Sequence, residues 1–315
     1  MSLGAIFAAG FFQSQVVHTA LVIGGLVAVV SAIVGVFTVL RGQSFAGHAF
    51  SDLGTTGGSG AFLVGIGPLW GFVIAGLAAA AAMEVLGVQR ARGRDLATGI
   101  VLGGGLGLAA LFLYLDTTST STTGATMTIL FGSIFAIPSS TIPLVVLLSV
   151  ISLGLIVALY RPLLLASLSA ELAAARGIPV KLTGILYLLA LALAVALTAI
   201  TIGSILSTAL LVGPAASALR LTRSPGRAMA VSAALALLCT WTGIVLAYDS
   251  YGWTTSRNAW PVSFFVVTLV LVSYLLSGLP ALIGSRHKRR SGVTPSSIAP
   301  ATDSEPRRPA GPALG

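Results

Sequence analysis

The chain has 315 residues, 56% of them hydrophobic and only 8% charged, with a mean hydropathy of +1.01. No soluble domain of this size hides so much apolar side chain, so the composition specifies a polytopic membrane protein built from helices. The net charge of +9 does not point to nucleic acid, because Lys and Arg gather between the apolar runs, where they set topology.

Residues 1–15 are mildly apolar and read as an interfacial segment. No Lys or Arg precedes Arg41, so the beginning lacks the basic region of a cleaved leader. Residues 16–40 carry no charge and are long enough to span, with Arg41 closing the run. A second span at about 46–65 opens with the stretch GHAFSD and ends at the turn Gly65-Ile66-Gly67-Pro68. A third runs from 69 to 88, and 89–95 form a basic loop. A fourth covers 96–115; its glycines Gly103, Gly104, Gly105 and Gly107 predict close helix packing rather than a phosphate loop, since no strand or Lys-Ser/Thr accompanies them.

Residues 116–124 (DTTSTSTTG) predict an exposed polar loop. Residues 125–137 are apolar but short, which predicts a re-entrant or broken helix before Pro138 and Pro143. Further spans follow at 142–160, 182–202, 228–247 and 260–283, with a shorter segment at 203–219 interrupted at Gly213-Pro214. Cys239, the single cysteine, lies in an apolar run and reads as a small buried side chain; it excludes an internal disulfide and a cysteine-cluster metal site. Residues 286–315 are basic, then rich in Pro, Ser and Ala, and predict a disordered tail after a transmembrane domain at 1–285.

About eight or nine crossings result, one or two of them short or broken. If the loops near 41, 89–95, 161–181, 220–227 and 286–308 share a side, that side holds sixteen of the seventeen basic residues, with only Arg257 opposite. The positive-inside rule makes that side cytoplasmic, with the N-terminus outside and the C-terminus inside.

Two segments carry chemistry. His48 and Asp52 are four residues apart, so a helix stacks them on one face within reach of a shared ion. Asp52 is the one acidic residue read as well inside an apolar segment, where a carboxylate costs about 2.5–3.5 kcal/mol, so the pair marks either a cation pathway or polar glue between helices. Without a thiolate, an imidazole and a carboxylate suit Zn²⁺, Mn²⁺ or Fe²⁺, and Thr55, Thr56 and Ser59 could line a path beside them. His18 reads as structural and His287 as part of the solvated tail. The other segment is 163–180. Ser169 suits an N-cap, Glu171 the first turn, Arg176 the last turn and Gly177 the C′ position, with Pro179 stopping the chain, which predicts a short cytoplasmic helix at about 170–176 within the segment 168–178.

The chain resembles the membrane subunits of ABC importers for zinc, manganese or iron. The likeness runs through most of 15–285. It rests on VVSAIVGVFTVLRGQSFAGHAFSD (29–52), ILFGSI (129–134), AELAAARGI (170–178) and GSILSTALLVGPAASALRLT (203–222), four segments in the right order. One departure is sharp: such permeases usually place Asp first and His four residues later, and here His48 stands in the Asp slot and Asp52 in the His slot. Thr55-Thr56-Gly57 also replaces their Leu-Pro-Gly, and the outer loop DSYGWTTSRNAWP departs from their short form.

The resemblance implies a non-enzymatic permease working by alternating access, with the metal as cargo passing His48 and Asp52. It implies a second copy of the chain, an extracytoplasmic metal-binding protein, and a separate cytoplasmic ATPase docking on Ser169, Glu171, Arg176 and Gly177. No Gly-Lys-Ser/Thr nucleotide loop occurs in the chain itself. The setting would be a prokaryotic plasma membrane. Rival readings are a permease for a metal complex or other small solute, an ATP-independent cation carrier, and a scaffold that transports nothing.

Overall fold

In a computed structural model of the chain, the described residues are 14–85, 94–119, 123–132, 134–253 and 260–290. Most of the expected interfacial segment at 1–15, most of the basic loop, Arg257 and the tail beyond 290 lie outside them. The described residues are helical, with no strand among them. In chain order the helices are α1 (Gln15–Leu40), α2 (Ser44–Leu63), α3 (Pro68–Val85), α4 (Arg94–Ser119), α5 (Thr123–Phe131), α6 (Ile142–Ala158), α7 (Tyr160–Leu168), α8 (Ala170–Ala175), α9 (Val180–Ile202), α10 (Ser204–Leu221), α11 (Pro225–Ser250) and α12 (Val262–Arg290).

Six stretches are long and apolar enough to cross a membrane, in α1, α6, α9, α10, α11 and α12, and α3 and α4 hold shorter apolar stretches. α2 is not among these stretches, because it carries His48, Asp52 and many Gly, Ser and Thr. The fold class is therefore the all-α polytopic one read from composition. The chain divides into a unit at 1–278, which holds every contact described below, and a unit at 279–315.

α1 and α9 form the centre. Both are apolar all round, as helices wrapped by other helices should be. α1 meets α6, α9, α10 and α11, while α9 meets α3, α6, α10 and α2. At the end of α1 the Arg41 guanidinium sits 5.0 Å from the centre of the Tyr187 ring of α9, and its Nε donates to Gln43 Oε1 at 3.3 Å. The Tyr187 hydroxyl donates to Thr38 Oγ1 at 2.9 Å. These contacts hold the α1–α2 turn against α9 and set where α2 begins.

α2 runs back between α3, α4 and α10. Its approach to α3 is backbone on backbone: a Cβ at Gly57 would stand 2.1 Å from the Gly71 carbonyl oxygen. Small residues permit such contact in lipid, where dispersion replaces the hydrophobic drive. The short α5 ends at Gly132, with φ of 75°, beside Gly203, with φ of 90°, which joins α9 to α10. Each backbone fills the space where the other's Cβ would stand, so both the left-handed conformation and the close approach require glycine. The chain then winds through two 3₁₀ turns, Ile134–Ala136 and Ser139–Thr141, into α6, which is the broken segment expected before Pro138 and Pro143.

Several expectations are corrected. The polar stretch after residue 115 is not all loop: α4 continues to Ser119, and Asp116 is fully buried, so Asp52 is not alone among inward acidic residues. The Thr118 hydroxyl bonds back to the Tyr114 carbonyl at 2.8 Å, letting the helix satisfy its own polar side chains. Of the α4 glycines only Gly105 is packed closely, against Leu53; Gly103, Gly104 and Gly107 face open space. Pro214 does not interrupt α10; it lies buried within it. The connection after α6 holds the extra helix α7, and α12 stays helical to Arg290, beyond the expected start of the tail.

Candidate functional site

Within the polar stretch GHAFSD, Gly47, His48 and Ser51 fall on the face of α2 that meets α10. The two helices run antiparallel here: Gly47 lies against Leu211, His48 against Thr208, and Ser51 against Ser207 and Ser204. The register is fixed from both sides. A Cβ at Gly47 would stand 2.8 Å from Leu211 Cδ2, and one at Gly35 of α1 would stand 1.8 Å from the Leu211 carbonyl oxygen. Leu211 is thus wedged between two glycines, and the seam closes only at this depth.

Within the seam the Ser51 and Ser207 hydroxyls are 2.6 Å apart, and both lie against the Ser204 carbonyl. Ser204 Oγ in turn donates to the Ile129 carbonyl of α5 at 3.2 Å. These serines are buried, at 1% exposure or less, and each finds a partner, as buried hydroxyls must. His48 lies at the open end. Its Nδ1 is 3.3 Å from Thr208 Oγ1, and its Nε2 is 3.6 Å from Asp52 Oδ2. The His48 side chain is 45% exposed and that of Asp52 only 12%, so the imidazole fronts the open face and the carboxylate stands behind it.

Two donors each about 2.1 Å from one ion stand about 3.0–3.4 Å apart for octahedral or tetrahedral angles. The observed separation of 3.6 Å exceeds this slightly. The i, i+4 spacing read from the sequence has brought the imidazole and the carboxylate together on one face of α2. Among the described residues no cluster of three or more His, Cys, Asp and Glu side chains occurs, so a single chain offers two such ligands, with the Thr208 hydroxyl beside them.

The other candidate residues separate by face. Thr55 and Ser59 continue the stripe of His48 and Asp52 but are buried, and their hydroxyls bond to the carbonyls of Ser51 at 3.3 Å and Thr55 at 2.8 Å. Thr56 is turned towards α4, donating to the Gly105 carbonyl at 2.7 Å. It lines an apolar cavity of about 520 Å³ with Leu53, Gly60, Trp70, Ile74 and Phe112. That cavity includes neither His48 nor Asp52. His18 is exposed on the first turns of α1.

The short helix expected near 170–176 is α8. Ser169 caps it, its hydroxyl accepting from the Leu172 N–H at 3.2 Å, and Glu171 occupies the first turn. The helix ends at Ala175, so Arg176 is the C-cap rather than the last turn. Gly177 takes φ of 75° at C′, and the amides of Gly177 and Ile178 return to the carbonyls of Ala174 and Ala173 in a Schellman closure. Ala173 is buried and anchors the turn, while Leu168, Glu171, Leu172 and Arg176 are exposed around it.

The seam partners Ser204, Ser207 and Thr208 were missed as functional residues, although they lie in the segment GSILSTALLVGPAASALRLT that carries part of the resemblance. Nothing local to His48 in sequence announces a partner so far along the chain.

The profile of the ABC 3 transport family matches residues 13–277. The chain belongs to that family. Its similarity to the manganese import system permease ScaB of Streptococcus parasanguinis is 31% identity over 244 residues, covering 77% of this chain and 85% of that one. The manganese transport system membrane protein MntC of Listeria monocytogenes is 27% identical over 243 residues, with the same coverage. Among solved structures, PsaBC from Streptococcus pneumoniae in complex with Fab matches with a TM-score of 0.72 at 26% identity, covering 85% of this chain and 93% of the compared chain. The chain is thus a membrane subunit of an ABC transporter and not itself an enzyme; ATP hydrolysis belongs to a separate chain.

Proposed function

We propose that this protein is the permease of a prokaryotic manganese importer, in which the cation passes the His48–Asp52 pair during alternating access. The observation that carries the reading is the pairing of His48 Nε2 with Asp52 Oδ2 at 3.6 Å on the partly open face of α2. The relatives named as manganese permeases favour manganese over the zinc and iron that the donor types also admit. A neutral imidazole, a carboxylate and hydroxyls suit a borderline-hard divalent ion, and two side-chain ligands completed by water hold it weakly enough to release. The inverted His-Asp order keeps the ligand set on one face of α2.

A second copy of the chain completes the pathway. The cytoplasmic ATPase docks on α8, where Leu168 and Leu172 offer exposed apolar contacts beside Glu171 and Arg176. An extracytoplasmic metal-binding protein delivers the ion. The positive-inside rule, applied to the basic connections, supports a cytoplasmic C-terminus.

Uptake of radioactive manganese by cells expressing the full chain with its ATPase and binding protein tests this reading. We expect uptake that needs an intact ATPase and is blocked by excess manganese more strongly than by zinc, iron or chelated metal. Uptake that follows a pH gradient without the ATPase would assign a secondary carrier instead. Stronger blockage by a metal chelate would assign a different cargo.

A further inference from the structure

The imidazole of His48 has its two nitrogens engaged in different directions. Nε2 faces Asp52 one turn along α2, and Nδ1 faces the Thr208 hydroxyl of α10, 3.6 and 3.3 Å away respectively. A neutral imidazole has one N–H and one lone pair, so only one nitrogen can bind a cation. Whatever fixes the proton on Nδ1 frees the Nε2 lone pair for the ion shared with Asp52. A hydroxyl can accept from Nδ1–H while donating its own proton elsewhere. Histidines that ligate metals depend on such a partner at the other nitrogen, and its loss lowers metal affinity about 10–100-fold.

We propose that Thr208 is a positioning residue for transport: it holds His48 as the Nδ1–H tautomer and turns Nε2 towards Asp52. This rests on the reading of His48 and Asp52 as the cation site. The rest of the seam explains why Thr208 can do this. Ser51 and Ser207 share their hydrogen bond one turn away, and Leu211 is lodged against Gly35 and Gly47, so α10 presents Thr208 at a fixed height. His48 is half open, and Thr208 is the side chain that meets its Nδ1 among the described residues, so Thr208 supplies the restraint that burial does not.

The test is Mn²⁺ binding to the purified full chain, read from loss of the free-ion electron paramagnetic resonance signal, compared between the native protein and variants of Thr208, His48 and Asp52. Thr208→Val keeps the side-chain volume and removes the hydroxyl; it should weaken binding about 10-fold or more. Thr208→Ser restores the hydroxyl and should return binding close to the native level. If Thr208→Val lowers the yield of folded protein, Thr208→Ala compared with Thr208→Ser carries the same contrast. His48→Ala and Asp52→Asn report on the underlying site. Native binding in Thr208→Val, with binding lost in Asp52→Asn, overturns the positioning role and leaves the site standing. Equal losses in the valine and serine variants also overturn it, because packing would then explain both. Native binding in His48→Ala and Asp52→Asn removes the site itself, and the role of Thr208 with it.

Discussion

α8 and the seam between α2 and α10 are built on opposite principles. α8 is six residues held by its own neighbours in sequence: Ser169 caps one end, Gly177 closes the other, and Ala173 anchors the middle. The seam joins residues about 150–160 positions apart, and its polar groups are satisfied only because α10 lies against α2 at one depth. A local device tolerates local damage. A seam set by backbone contact transmits any change of depth to every pair along it.

The largest effect should come from spoiling that depth. Gly35→Val places a Cβ where the Leu211 carbonyl stands, 1.8 Å away, so α1 and α10 must separate. Overpacking of this kind costs about 1–3 kcal/mol, and displacement of Thr208 from His48 should remove manganese binding even from the folded fraction. Thermal unfolding and Mn²⁺ titration of the detergent-solubilised chain measure both. If binding survives with α1 and α10 forced apart, the seam does not set the site.

Next in size is Gly177→Val at the C′ position that closes α8. A side chain at φ of 75° costs about 1–2 kcal/mol, and more for a β-branched one. Because the damage is local, Mn²⁺ binding should be native while transport-coupled ATP hydrolysis falls. Loss of both together would show that α8 and the seam are not independent. Ser169→Ala removes only the cap, worth about 1 kcal/mol, and should lower coupling less than Gly177→Val does. Smaller still, Thr56→Val should leave uptake unaltered and lower thermal stability by about 1 kcal/mol, since its hydroxyl serves α4 rather than the seam. A transport defect in Thr56→Val would put the pathway on the α4 side of α2.

The same contrast explains what could be read in advance. The spans at α1, α6, α9, α11 and α12 were legible because length and apolar content alone decide them. α8 was legible almost to the residue because caps are local chemistry. His48 and Asp52 were legible because their spacing lies within one helix. Thr208 was not, since its relation to His48 exists only through the docking of α10. The run at 116–124 misled because polar residues usually mark loops, whereas here threonine hydroxyls bond back to the helix and Asp116 turns inward. Thr56 was grouped with Thr55 by sequence adjacency, yet one step along a helix turns a side chain towards a different neighbour.

The claim on which the account rests is that an imidazole and a carboxylate on α2 hold manganese in transit. Its most direct test is manganese uptake by cells carrying Asp52→Asn, which keeps the size and shape of the side chain but removes its charge and turns one acceptor oxygen into an N–H donor. The account predicts that uptake collapses while the chain still reaches the membrane and still binds its ATPase. Uptake at the native rate in that variant would contradict it.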